Sequence, residues 1–194
     1  MEELDNIPII AFKSAVSSLE LRRAMVRLFE AMPVPFVPER AGRFDQQVTS
    51  RFHRDGAPPA SLLLLGYEPT TVRSRLFVAD PHPAAAKAGL GVVDFLAVHN
   101  PMFPAGEARL WPFVTEVVLP PGEPCIVAIN NSLVPDTAPG PHPLGLLHKA
   151  EVPTPDPTAS RVINSLGLML VGDPAGTPLA PGTLQQFLTR THLD

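Results

Sequence analysis

A chain of 194 residues, 45% hydrophobic and 18% charged, is long enough for one core and too short for two ordinary domains. Its 25 prolines argue against a helical bundle, because helix interiors and central strands both reject proline, and favour short elements with many turns. A net charge of -4, a pI near 5.8 and no cluster of Lys and Arg argue against a nucleic-acid partner.

Cys125 is the single cysteine, which leaves no intrachain disulfide and no Cys-based zinc site; its place in the apolar run 125–129 reads as packing. The acidic start and the lack of a long apolar run give no signal peptide and no membrane partner or anchor, so the expected location is cytoplasmic.

In chain order, residues 14–32 predict a supporting helix. Ser17 and Glu20 form a capping box, and Leu21, Met25, Leu28, Phe29 and Met32 make an apolar stripe. Pro33, Pro35 and Pro38 then hold the chain extended. A strand-like run over 47–55 ends in a turn at 56–59. The runs 61–67 and 72–79 read as paired strands, and 84–90 reads as a short helix. Residues 92–98 are assigned to a strand, 113–119 and 124–130 to a hairpin, and the proline-rich 133–144 to an exposed loop. Two more strands, 144–152 and 161–171, are expected as a hairpin, with a terminal helix from Thr183. Seven or eight short strands behind one helix predict an all-β core with flanking helices. The expected form is a jelly roll or double-stranded β-helix spanning residues 1–194 as one domain.

The chemistry concentrates in His53-Arg54-Asp55. Alternate residues of a strand share a face, so His53 and Asp55 point the same way. Two such groups and a distant third make the 2-His-1-carboxylate facial site that suits non-haem Fe(II) and leaves positions open for O2 and a co-substrate. His148, within Leu146-Leu147-His148-Lys149-Ala150, is the best third ligand. Arg161 opens the next apolar strand thirteen residues on, where its guanidinium can grip a carboxylate with two parallel hydrogen bonds. Arg73 and Arg75 share one strand face and are candidates for a substrate carboxylate or for an exposed edge. Among rivals, Asp80 reads as the cap of the following helix, His82 and His142 sit between prolines, His99 is a turn residue and His192 lies near the end. Tyr67 and Trp111 read as packing residues.

The succession His53-x-Asp55, His148, Arg161 resembles the H-x-D…H…R pattern of the Fe(II)/2-oxoglutarate-dependent dioxygenase superfamily over residues 45–171. His53-Arg54-Asp55-Gly56 followed by Ser74-Arg75-Leu76-Phe77-Val78-Ala79-Asp80 is similar to its bacterial branch of free-amino-acid hydroxylases. The resemblance implies Fe(II) held by His53, Asp55 and His148, and 2-oxoglutarate held by Arg161. It also implies hydroxylation of a small molecule, an amino acid or related metabolite, with O2. Where the family often has Ser or Thr two residues after the arginine, this chain has Ile163; Ser165, on the parity of Arg161, is the candidate substitute. Asp55 speaks against a related halogenase, for which a small residue would be expected there. Two other classes remain open: a cupin-like metalloenzyme using the same triad without 2-oxoglutarate, and a non-catalytic jelly-roll binding module with His53 and His148 far apart. Oligomeric state is left open.

Overall fold

The computed structural model describes residues 9–12, 16–55, 60–132, 145–172, 176–180, 182–189 and 191–193. Its elements in order are β1 (Ile9–Ala11), α1 (Ser18–Glu30), β2 (Phe36–Asp45), β3 (Ser61–Tyr67), β4 (Arg75–Ala79) and α2 (Pro81–Ala88). There follow α3 (Val92–Val98), α4 (Pro104–Leu110), β5 (Val114–Val117), β6 (Cys125–Asn130), β7 (Leu147–Glu151), β8 (Val162–Leu170) and α5 (Thr183–Thr189). The strands form two antiparallel sheets, β1-β6-β3-β8-β2 and β5-β4-β7. This is a β-rich core with flanking helices. Among the described residues no helix is long and apolar enough to cross a membrane.

The run Ser61-Leu-Leu-Leu-Leu-Gly-Tyr67 shows why the five-stranded sheet is covered on both faces. Leu63, Leu65 and Tyr67 join Leu76, Val78, Val117, Val127, Ile129 and Ile163, residues of both sheets, in one core cluster. Leu64, on the opposite parity, packs with Leu21, Met25 and Phe29 of α1 and with Leu166 and Leu168 of β8. Gly66 belongs to the helix side: a Cβ there would lie 2.5 Å from Met25 Sδ, so the missing side chain lets α1 settle onto the sheet. The Ser17/Glu20 capping box is present. The helix starts at Ser18 and stops at Glu30 with Ala31 as its C-cap, inside the expected span.

Several pairings differ from expectation. β3 and β4 lie in different sheets and do not pair; β5 and β6 likewise do not form a hairpin, and neither do β7 and β8. Consecutive strands cross between the layers because each has an apolar face to bury against the opposite sheet, which adjacency in sequence cannot reveal. Residues 92–98 are helix, not strand. Phe95, 1% exposed, packs with Ala84, Ala85 and Leu110 in a third core cluster, and this contact outweighs the β preference of the valines. The extended stretch after α1 continues as the ten-residue β2, with Pro38 tolerated at the sheet edge beside a register shift. Asp80 caps α2 by accepting from His82 N at 2.9 Å, as expected. The turn expected over 56–59 and the loop over 133–144, with His142, lie outside the described residues.

Candidate metal centre

The segment before Asp55 forms no continuous strand, and the parity argument is realised by a single bridge. His53 N donates to His148 O at 3.0 Å and His148 N donates to His53 O at 2.8 Å, so the two residues stand directly opposite across the edge of β7. One more backbone bond, Ser50 N to Ala150 O at 2.9 Å, and two side-chain hydroxyls continue the contact: Ser50 Oγ accepts from Ala150 N at 2.9 Å, and Thr49 Oγ1 accepts from Val152 N at 3.0 Å. Directly opposed residues present their side chains to the same face. The imidazole rings accordingly lie 4.3 Å apart, centroid to centroid.

Asp55 completes the group. His53 Nε2 is 3.6 Å from Asp55 Oδ1, and one donor atom each from His53, Asp55 and His148 lies within 4.8 Å of the others, a spacing that could hold one metal ion. The ring of His53 is oriented by a contact of 2.6 Å between Nδ1 and Arg51 O. A carbonyl can only accept, so Nδ1 carries a proton, and this contact turns Nε2 toward Asp55. His148 is 6% exposed, and its Nδ1 has no hydrogen-bond partner among the described residues. Burial pulls its pKa down to about 4, helped by the charge of His53 and opposed by Asp55. Its ring is therefore neutral at pH 7, the form that binds metals. A pair of imidazoles and a carboxylate is a donor set that suits ferrous iron, and the buried Nδ1 of His148, unpartnered among the described residues, is the kind of orphan a bound cation resolves.

The three residues line a cavity of about 290 Å³ between the sheets, with Phe44, Leu65, Leu76, Ala150 and Ile163 as apolar walls. Ser165 lies on its wall, whereas Arg161, with which it shares strand parity, does not. Arg161 is 1% exposed and lies at the entrance to β8. Its Nη1 donates to Gln46 O at 3.0 Å, its Cζ is 5.3 Å from the Tyr67 ring centroid, and Nε and Nη2 have no hydrogen-bond partner among the described residues. Arg161 lines a larger cavity of about 630 Å³ that shares Tyr67 with the metal cavity. The guanidinium thus sits behind Gln46 and Tyr67, which both face the metal cavity. Burial pushes the Tyr67 hydroxyl up to about 12, against the opposing charge of Arg161, so it stays a neutral phenol at pH 7.

Arg73 and Arg75 are not brought to the metal cavity. Both line the larger one, Arg73 exposed and Arg75 engaged by Glu116 through Nε at 2.9 Å and Nη2 at 2.5 Å. Arg73 precedes β4, the central strand of its sheet, and Arg75 at the start of β4 is held between acidic neighbours, Glu116 of β5 and Glu151 of β7. Arg40, Gln46 and Ser50 are lining residues that the motif reading missed. The alternation Arg40, Gly42, Phe44, Gln46 was the available signal, in a stretch between Pro38 and the run 47–55 to which no element was assigned. His82, His99 and His192 stay outside the group: His82 at the start of α2, His99 as the C-cap of α3, and His192 exposed. Trp111 packs near Phe77 with ring centroids 5.7 Å apart.

Comparison with protein-family models, curated proteins and solved structures finds no match.

Proposed function

We propose that this chain is a non-haem Fe(II)- and 2-oxoglutarate-dependent oxygenase of double-stranded β-helix fold that hydroxylates a small molecule such as an amino acid or related metabolite. The observation that carries this reading is that His53, Asp55 and His148, far apart in sequence, present donor atoms within 4.8 Å of one another on the wall of one cavity. The strand order supports the fold: β2-β8-β3-β6 in one sheet faces β7-β4-β5 in the other, with the His53 segment bridged to β7 as a rudimentary fourth strand.

Bound iron would supply O2 activation coupled to oxidative decarboxylation of 2-oxoglutarate, giving succinate, carbon dioxide and hydroxylated product. The chain's own work is orientation and exclusion of water. Arg51 O fixes the His53 tautomer, the backbone bridge holds His148 against it, and the apolar walls align a hydrocarbon near the metal. Arg161 supplies a buried cation whose Nε and Nη2 have no partner among the described residues, a pair of donors for the distal carboxylate of 2-oxoglutarate.

A cupin-like metalloenzyme without 2-oxoglutarate is the second reading, favoured by the position of Arg161 on the neighbouring cavity and by Ile163 where the superfamily often has Ser or Thr. The binding-module reading required separated imidazoles, whereas the rings are 4.3 Å apart. Anaerobic titration with Fe(II) and then 2-oxoglutarate tests the proposal. A visible charge-transfer band that needs both is expected, followed by succinate release on admitting air. Iron binding without a 2-oxoglutarate-dependent band supports the cupin-like alternative, and no iron binding overturns both.

A further inference from the structure

Arg40 lines the metal cavity, which Arg161 does not. β2 and β8 present matched inward rows in which Phe44 faces Ile163, Gly42 faces Ser165 and Arg40 faces Gly167, while Gln46 N donates to Arg161 O at 3.1 Å. From position 161 to position 167 the strand runs about 20 Å at 3.3–3.4 Å per residue. The two arginines therefore bracket the cavity wall, Arg161 behind its buried end and Arg40 beside Asp55.

Two local features set the Arg40 side chain there. The register shift between Pro38 and Arg40 re-aims the strand, as bulges do. Gly167 opposite carries no side chain: a Cβ there would lie 3.5 Å from Arg40 Cβ and Nε and 3.7 Å from Nη2. The arginine thus lies across the glycine and carries its Nη2 to 3.9 Å from Asp55 Oδ2. That distance exceeds the ordinary range of an N–H···O bond, about 2.7–3.2 Å, so the fork is not consumed by Asp55. The side chain is 47% exposed and lines the cavity whose walls are Phe44, Leu65, Leu76, Ala150 and Ile163.

We propose that Arg40 anchors a carboxylate of the molecule that is oxidised, which makes the substrate a monocarboxylate with an apolar body lying between Arg40 and the metal. A planar fork without a hydrogen bond among the described residues matches a carboxylate, and apolar walls match the carbon chain behind it. Asp55 already shares the positive charge of Arg40, so a dianion such as a phosphate monoester would meet its repulsion, whereas a single negative charge is compensated. This inference rests on the metal reading above, because it places the substrate relative to His53, Asp55 and His148.

The test uses the full chain loaded with Co(II), with hexanoate and its uncharged analogue hexanamide as probes in calorimetric titrations. Wild type should bind hexanoate at least about tenfold tighter than hexanamide, the scale of a charge-assisted hydrogen bond. Arg40→Gln should bring the two within about twofold, and Arg40→Lys, which keeps the charge and loses the fork, should fall between. If the preference for hexanoate survives in Arg40→Gln, the carboxylate is held by the metal or another cation and the inference is overturned. Co(II) binding with no preference in wild type overturns the inference alone, whereas failure to bind Co(II) overturns the metal reading and this inference with it.

Discussion

Arg161→Met separates a structural arginine from one kept for a ligand. The substitution removes a guanidinium that is 1% exposed, with one nitrogen bonded to Gln46 O at 3.0 Å, Cζ 5.3 Å from the Tyr67 ring centroid, and two nitrogens without partners among the described residues. The variant loses the two Nη1 hydrogen bonds to Gln46, to O at 3.0 Å and to Oε1 at 3.4 Å, together about 1–2 kcal/mol, and a cation–π contact of about 1–2 kcal/mol. It gains relief from two buried unsatisfied donors, about 1–3 kcal/mol each, and from desolvating the charge. Methionine follows the same path with an adaptable apolar chain. The metal-free variant should therefore be as stable as wild type within about 2 kcal/mol, with the balance toward stabilisation. A ligand at a hundred times its Kd raises stability by about 2.7 kcal/mol, so metal-loaded wild type should gain this from 2-oxoglutarate and the variant should not. Urea unfolding followed by Trp111, the single tryptophan, measures both quantities. A loss above about 3 kcal/mol in the metal-free variant would refute the reasoning, because the buried charge would then be part of the scaffold.

Three further outcomes are expected. Gly66→Ala should destabilise by about 1–2 kcal/mol, since its Cβ would meet Met25 Sδ at 2.5 Å and the flexible thioether must move aside; an unchanged thermal midpoint would contradict the close packing of α1. Glu68 is pushed up by burial, but hydrogen bonds from Arg43, Ser18 and Asn164 and the charge of Arg43 outweigh this and hold its carboxyl below the usual range. Its contribution is full above the ordinary carboxylate pKa of about 4.3 and is lost as pH falls through the lowered folded value. Glu68→Gln should accordingly cost about 1–3 kcal/mol at pH 7 and progressively less in acid, read from melts across that interval; a cost independent of pH would exclude the carboxylate as its source. Ala substitution of His53, Asp55 or His148 should each weaken metal binding by more than about a hundredfold in equilibrium dialysis, exceeding the effect of losing an outer partner, whereas Ala at His82 should leave it unchanged.

The site was more legible in the sequence than the sheet pairing. His53 and Asp55 share a face by spacing alone, and His148 was marked by its place in an apolar strand. The backbone bridge that sets the two imidazoles 4.3 Å apart is accompanied by one further backbone bond, from Ser50 N, and by the hydroxyls of Ser50 and Thr49, a pairing that periodicity cannot register. Strand existence was readable in runs such as 61–67 and 124–130. Their partners were not, because each strand buries its inner face against the opposite layer, and local order in the chain suggests hairpins where the fold makes crossings. Residues 92–98 went astray for a related reason: one buried side chain, Phe95, decides their state. Arg40 was missed because a run containing Pro38 reads as a connection until the edge position of β2 explains how proline fits.

Whether two imidazoles and one carboxylate bind a single ferrous ion can be read from anomalous diffraction at the iron edge, from crystals grown anaerobically with Fe(II). One peak is expected within bonding distance of a nitrogen of His53, an oxygen of Asp55 and a nitrogen of His148. A peak held by other residues, or iron bound in solution with none of these three as ligands, would contradict it.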